Sequence, residues 1–225
     1  MTLLLNHKPN KKIKTLKEGF NMKNTFYRPE LKRGKAIEMQ GIVDKLKSDF
    51  YEIDNASEDE VTEYVKRLIE QGKPLKNNSK MVFWGLDEPE NMPSDARVDF
   101  FYMPTYYASA IMAAGVTKYK SLWNIPGFKE CLGKGLNACT GRNFMGSGYG
   151  DMNSFLDTLE IFARAGMKIL TEKNPDLSPE FTEKLNWALG FVKNTIISGD
   201  AVDPWSGRDF SARGIEVEMM FEEAA

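Results

Sequence analysis

The chain has 225 residues, 42% of them hydrophobic, which is enough to form the core of a folded globular protein. Its formal net charge of -2 argues against a nucleic-acid binder, because neutralising phosphates requires a clear basic excess. No apolar run approaches the ~18 residues that a membrane-spanning helix needs, so we expect no insertion into a membrane.

The beginning of the chain is strongly basic. From His7 to Lys35 there are ten Lys and Arg residues against two glutamates. Blocks of like charge are typical of exposed or disordered segments. We therefore predict a basic, loosely ordered N-terminal arm at 1–33 and a single helical domain at 34–225.

The two ends of the chain carry opposite charge. From Asp200 to Ala225 there are seven acids against two arginines, so this end could attract the basic arm. Within the arm, Ile13, Leu16 and Phe20 have the spacing of one helix face, which is compatible with a short docked helix.

Most of the remaining sequence has the apolar periodicity of amphipathic helices. Ser57 and Glu60 form a capping-box pattern, Ser178 and Pro179 have the order expected at a helix start, and Pro104 suits a first helical turn. The predicted helices lie at about 34–50, 57–72, 104–115, 126–140, 153–170, 178–199 and 211–223. No segment has a convincing strand pattern.

Short connections between helices make consecutive helices antiparallel neighbours. The predicted fold is therefore all-α, built from antiparallel helical hairpins arranged as a partial α/α-toroid or as an irregular helical bundle. One long irregular segment, 73–99, contains three prolines and no sustained period, and we predict that it is a loop.

Two short motifs resemble those of α/α-toroid proteins. The sequence from Met103 to Ala108, MPTYYA, is similar to a helix start in the protein prenyltransferase and terpene cyclase group. The turn from Asn143 to Tyr149, NFMGSGY, is similar to turns that begin inner helices there and in six-hairpin glycosidases. The resemblance spans roughly residues 98–200 and implies a ring of helices with a cleft at one end.

The catalytic residues of these families do not map onto this chain. The prenyltransferase zinc site needs a histidine that cannot be placed, since His7 in the basic arm is the only histidine. The acidic motif of the terpene cyclases is also absent. We predict no metal and no cofactor, because one histidine and two cysteines on one helix face disfavour a zinc site. The single histidine also disfavours Ser-His-Asp and Cys-His catalytic arrangements.

Carboxylates near aromatic residues remain as candidate chemistry. Two acids that flank a cleft can act as acid and base in glycoside cleavage, and aromatic rings stack on sugars. The candidate catalytic residues are Asp87, Asp99 and Asp151, and the candidate substrate-binding residues are Trp84, Tyr106, Arg142, Tyr149 and Trp205. Glu88, Asp203 and Asp209 are further candidate acids. Each acid has a structural alternative, because Asp at a helix start is commonly a cap.

Two functions follow from these patterns. The first is a hydrolase that acts on a carbohydrate or another hydroxylated substrate in an aromatic and acidic cleft. The second is a non-catalytic helical binding or scaffold module that uses the same cleft, or the basic arm, to hold a partner. In either case the expected ligand is a small molecule or a glycan.

Cys131 and Cys139 lie eight residues apart in one predicted helix, about 12 Å between Cα atoms, too far for a disulfide. Reduced cysteines predict a cytoplasmic protein.

Overall fold

A computed structural model describes residues 33–75, 78–85, 98–140, 152–203 and 206–223, and it shows an all-α irregular helical bundle. Apart from Arg33, the predicted N-terminal arm lies outside these residues. Along the described helices, no segment is both long enough and apolar enough to cross a bilayer.

The described residues form eight α-helices and one small hairpin. The helices are α1 (Arg33–Glu52), α2 (Glu58–Gln71), α3 (Val98–Lys118), α4 (Phe128–Cys139), α5 (Met152–Arg164), α6 (Met167–Lys173), α7 (Pro179–Ser198) and α8 (Ser211–Glu223). A short 3-10 helix spans Lys120–Asn124. Two strands, β1 (Lys73–Leu75) and β2 (Asn78–Phe83), pair antiparallel.

Helix α3 is the centre of the bundle. It packs against α1, α2, β2, the 3-10 helix, α4, α5 and α6. Every residue from Pro104 to Ala113 is buried, and ten consecutive residues cover all faces of an α-helix. A helix that is apolar and buried all round must be enclosed by the rest of the fold.

Several helix boundaries follow the predicted caps. The Ser57 Oγ accepts a hydrogen bond from the Glu60 N–H, and the Glu60 carboxylate accepts one from the Ser57 N–H at 2.8 Å. Ser178 caps α7 by accepting a hydrogen bond from the Phe181 N–H at 3.2 Å. These side chains satisfy amide groups that have no partner within the helix.

The structure differs from the sequence prediction in three places. Part of the segment predicted as a loop at 73–99 is the β1–β2 hairpin, whereas no strand was predicted. Helix α3 begins at Val98, so Pro104 lies inside it, where the helix forgoes one backbone hydrogen bond because proline has no N–H. The helix predicted at 153–170 is two helices, α5 and α6, separated at Gly166, whose φ is 63°. Glycine adopts this left-handed conformation without steric cost.

The hairpin is fixed to the helices by Trp84, which follows β2. Its indole Nε1–H donates to the Leu68 carbonyl at 2.9 Å, and its backbone N–H donates to the Thr105 Oγ1 at 3.2 Å. Helix α4 approaches the ring closely at Gly135, where a Cβ atom would lie 3.1 Å from the indole. The hairpin is thus part of the core, packed between α2, α3 and α4.

Candidate functional site: a basic cleft between α3, α5 and α6

The predicted catalytic acids Asp87, Asp99 and Asp151 stay predictions, because the described residues do not include their side chains. Asp87 and Asp151 lie outside the described residues, as does Glu88, and of Asp99 only the backbone is described, in the first turn of α3. Asp209 accepts hydrogen bonds from the N–H and Oγ of Ser211 at 2.7 and 2.6 Å, which lower its pKa. Asp209 therefore satisfies the N–H of the first residue of α8, a structural role at a helix start of the kind that the alternative predicted.

Asp203 is also held within the fold. Its side chain is buried and accepts a hydrogen bond from the Ser206 Oγ at 2.7 Å. Its backbone N–H donates to the Arg208 carbonyl, and its carbonyl accepts from the Gly207 N–H, each at 2.8 Å. These contacts close the turn that leads into α8, so Asp203 is placed to stabilise a turn.

Of the five predicted substrate-binding residues, two lie in the core and three lie outside the described residues. Trp84 is 3% exposed and Tyr106 is 2% exposed, with the Tyr106 ring edge-on to Phe162 at 5.5 Å. Both are core residues, so neither presents a surface to a substrate in this arrangement. Arg142, Tyr149 and Trp205 lie outside the described part of the chain.

Trp187 and Phe191 form an exposed aromatic pair on α7. Trp187 is 53% exposed and stacks on Phe191, with 5.5 Å between ring centroids and 8° between ring planes. The apolar face of α7 that is buried consists of Phe181, Leu185, Ala188 and Val192. On a helical wheel Trp187 lies well outside this buried face. The helical periodicity of the sequence alone therefore indicates that the Trp187 side chain is exposed.

A cleft of about 400 Å³ opens where the last turns of α3 and the 3-10 helix meet the break between α5 and α6. We call it the basic cleft. Among the described residues, its charged lining consists of Lys118, Lys120, Arg164 and Lys173 against one carboxylate, Asp54. Apolar walls come from Ala114, Trp123, Ala163, Ala165, Ile169 and Leu170. The cleft therefore combines a cationic rim with an apolar wall.

Two of the four cations donate hydrogen bonds to other residues of the protein. The Lys118 Nζ donates to the backbone carbonyls of Ile53, Asp54 and Ala56 at 3.2, 2.6 and 2.9 Å. These carbonyls belong to the turn after α1, and a lysine there satisfies acceptors at a helix end. Lys118 thereby fixes one wall of the cleft while keeping its positive charge beside it.

Arg164 is the second cation with partners. Its Nε donates to the Glu160 carboxylate at 2.8 Å, and its guanidinium lies 5.7 Å from the centroid of the Tyr51 ring. Lys120 and Lys173 are exposed, and neither makes an ion pair with another described residue. Of the cations in the described lining, these two lysines are therefore the ones available to contact a bound anion.

Two other grooves have a more balanced charge. A groove on α4 is lined by three lysines and two acids, and Lys134 there pairs with Glu130 at 2.7 Å. A groove between α1 and α2 is lined by Lys45 and Arg67 against three acids, and the Lys45 Nζ lies 2.9 Å from Asp49. Of the three grooves, only the basic cleft has a large excess of one sign.

The described residues offer no cluster of three or more His, Cys, Asp or Glu side chains that could hold a metal. Burial raises the pKa of the Cys131 thiol to about 11 and that of Cys139 to about 12. Because the thiolate is the nucleophile and the metal ligand, both cysteines are poorly suited to either role.

No protein-family model matches the chain, and no curated protein and no solved structure matches it. The basic cleft is therefore interpreted from its own residues and their geometry.

Proposed function

We propose that this protein is a non-catalytic helical binding module that holds a small anionic molecule in the basic cleft. The observation that carries the proposal is the charge of the lining, in which the part of the chain that the structure describes contributes four cations and one carboxylate, Asp54. Such a cleft concentrates anions, because low-dielectric walls focus the field of the charges around it.

The lining also defines the chemistry of the ligand. The volume of about 400 Å³ falls in the range of small-molecule sites, which are mostly apolar with a few polar groups that set orientation. Trp123, Ala163 and Ala165 contribute to the apolar wall, while Lys120 and Lys173 lie at the rim. A compact apolar or aromatic molecule with one phosphate or carboxylate group has the matching chemistry.

The alternative, a hydrolase, depends on Asp87, Asp99 and Asp151 and stays a prediction. Acid-base cleavage of a glycoside needs two carboxyl groups facing each other across the substrate. Its described lining offers the basic cleft one carboxylate, so binding without catalysis is the simpler use of these residues.

The ring arrangement of an α/α-toroid also stays a prediction. A cytoplasmic location is supported by Cys131 and Cys139, two buried cysteines that form no disulfide.

Calorimetric titration with phenyl phosphate tests the proposal. Inorganic phosphate provides the anion without the ring, and phenol provides the ring without the anion. We expect phenyl phosphate to bind more tightly than either, because it uses both the cationic rim and the apolar wall. Its affinity should fall as salt is added, since salt screens exposed charges.

The double variant Lys120→Glu/Lys173→Glu locates the site. Reversing two rim charges should weaken phenyl phosphate binding on the order of tenfold. The matched control is Lys184→Glu/Lys193→Glu on α7, which changes the net charge equally with exposed lysines outside the cleft. Equal affinity of the two double variants would contradict the proposal, as would a wild-type protein that binds phenyl phosphate no better than phenol.

A further inference from the structure

Helix α8 is held in a fixed orientation by its inner face. Gly214, Val217 and Phe221 are buried, and a Cβ atom on Gly214 would lie 2.7 Å from the Ile196 side chain of α7. The Arg213 guanidinium forms an ion pair with Glu160 of α5 and also contacts Asp157 of α5 at 3.4 Å. Because this face is anchored to two helices, the opposite face of α8 must point away from the bundle.

That outer face carries an apolar stripe. Ile215 is 45% exposed and Met219 is 50% exposed, and Ala212 is exposed beside them. The three residues have the spacing i, i+3 and i+7, which places them along one line of the helix. Exposed Ile and Met at this spacing are typical of a helix that packs against another helix.

Acids flank the stripe on both sides. At 100° per residue, Glu216 and Glu223 lie along one edge, and Glu218 and Glu222 lie along the other. Only Glu216 has a cationic partner among the described residues, the Arg213 guanidinium at 3.4 Å. We call Ala212, Ile215 and Met219, with these four acids, the acid-rimmed stripe.

The acid-rimmed stripe selects a partner with apolar residues at the same spacing and basic residues at its edges. The sequence of this chain contains such a segment at 11–20, KKIKTLKEGF, which lies outside the described residues. Ile13, Leu16 and Phe20 have the spacing i, i+3 and i+7, and on a helical wheel Lys12 and Lys17 fall at the two edges of that line. The two segments are complementary in both apolar pattern and charge.

We propose that residues 11–20 dock as a helix on the acid-rimmed stripe of the same chain. Residues 21–32 connect Phe20 to Arg33, and twelve extended residues span up to about 40 Å. That reach compares with a radius of gyration of about 17 Å for a compact chain of this length. A tethered segment also has a millimolar effective concentration, which favours its own chain over a second copy. The inference does not depend on the anion-binding proposal.

Paramagnetic relaxation in the full-length protein tests this contact. A nitroxide attached to Thr15→Cys lies on the helix face opposite Ile13 and Leu16. The native cysteines, Cys131 and Cys139, are buried and resist labelling. We expect the nitroxide to broaden the NMR amide signals of residues 212–222 until they are lost. The signals of residues on the far side of the bundle should be retained. Retention of the α8 signals would overturn the proposal.

Charge-reversal variants and a sample that mixes two differently labelled proteins provide the controls. Glu218→Lys/Glu222→Lys should restore the α8 signals, and adding Lys12→Glu/Lys17→Glu to that variant should abolish them again. Glu180→Lys/Glu183→Lys on α7 is the matched control and should leave the signal loss unchanged. A sample that mixes isotope-labelled protein with separately spin-labelled protein should show no loss, and loss in that sample would overturn docking within one chain in favour of a second copy.

Discussion

The indole Nε1–H of Trp84 donates a hydrogen bond to the backbone carbonyl of Leu68 at 2.9 Å, joining the end of the hairpin to the last turns of α2. The Leu68 carbonyl also accepts a hydrogen bond from the Gly72 N–H at 3.0 Å. Loss of the indole N–H would therefore leave that carbonyl with one partner.

Replacing Trp84 by Phe should lower the free energy of unfolding by about 1–2 kcal/mol, because a buried hydrogen bond and part of a packed ring are lost. Urea denaturation followed by circular dichroism gives this value. The control is Trp187→Phe, which alters an exposed ring and should change stability by less than about 0.5 kcal/mol. An equal effect of the two substitutions would contradict the core position of Trp84.

Two glycines inside helices should respond to alanine with opposite sign. At Gly135 a Cβ atom would lie 2.7 Å from the Ser109 Oγ and 3.1 Å from the Trp84 ring, both buried. Overpacking of this kind costs about 1–3 kcal/mol. At Gly190 no atom beyond the neighbouring backbone of the helix lies within 4 Å of the added carbon, so alanine should stabilise α7 by about 0.5–1 kcal/mol. Thermal denaturation of the two variants measures both signs.

Lys118 should contribute to stability independently of any ligand. Its Nζ satisfies three carbonyls in the turn after α1, and Lys118→Met keeps the aliphatic part of the side chain while removing the donors. We expect a loss of about 1–2 kcal/mol at neutral pH, measured by urea denaturation. Lys120→Met makes the matched change at an exposed lysine and should leave stability unchanged.

The ion pairs of Glu160 should make stability sensitive to acid. Burial acts to raise the pKa of Glu160, but hydrogen bonds from Arg213 and Arg164 outweigh it and lower the pKa below 4.5. A carboxyl whose pKa is lower in the folded state contributes stability above its unfolded pKa. That contribution is lost as the pH falls through the folded pKa.

Glu160→Gln should therefore be less stable than the wild type at pH 7, and the difference should shrink below about pH 4. Denaturation midpoints from pH 3 to pH 7 give the comparison. Glu216 contacts Arg213 at 3.4 Å from an exposed position, so Glu216→Gln should have a smaller effect. A difference between Glu160→Gln and the wild type that stays constant over this range would contradict the assignment.

The fold class could be predicted because most helices carry local signals. Ser57 with Glu60 and Ser178 with Pro179 place the starts of α2 and α7 within one residue of where the structure has them. The break between α5 and α6 also had a signal, Gly166, but the apolar period continues through it. A left-handed glycine interrupts a helix without interrupting its periodicity.

The hairpin could not be predicted from propensity. Pro74 and the Asn and Lys residues around the turn are poor strand formers, and only the last three residues of β2, Met81 to Phe83, are typical of a strand. Its stability comes instead from packing on α4 and from the hydrogen bonds of Trp84. Such tertiary contacts override local preference and leave no pattern in a short stretch of sequence.

The basic cleft could not be predicted from the sequence either. Lys118 and Lys120 lie about fifty positions from Lys173, and no motif joins them. The predicted site relied instead on acids close to aromatic residues along the chain. Asp209 shows the weakness of that rule, because its neighbour Ser211 is the group that it bonds. An acid close to a helix start in the sequence therefore indicated a structural role. The cleft, in contrast, is formed by residues that are distant in the sequence and close only in the folded structure.

The enclosed position of α3 has a consequence for synthesis on the ribosome. Its covering helices α1 and α2 emerge before it, but α5 and α6 emerge after it, with α6 ending at Lys173. At about 5–20 residues per second, the nascent chain carries this apolar helix partly uncovered for several seconds. Translation speed between residues 118 and 173 should therefore affect the yield of folded protein, with slower elongation prolonging the exposure of α3 to chaperones and to aggregation.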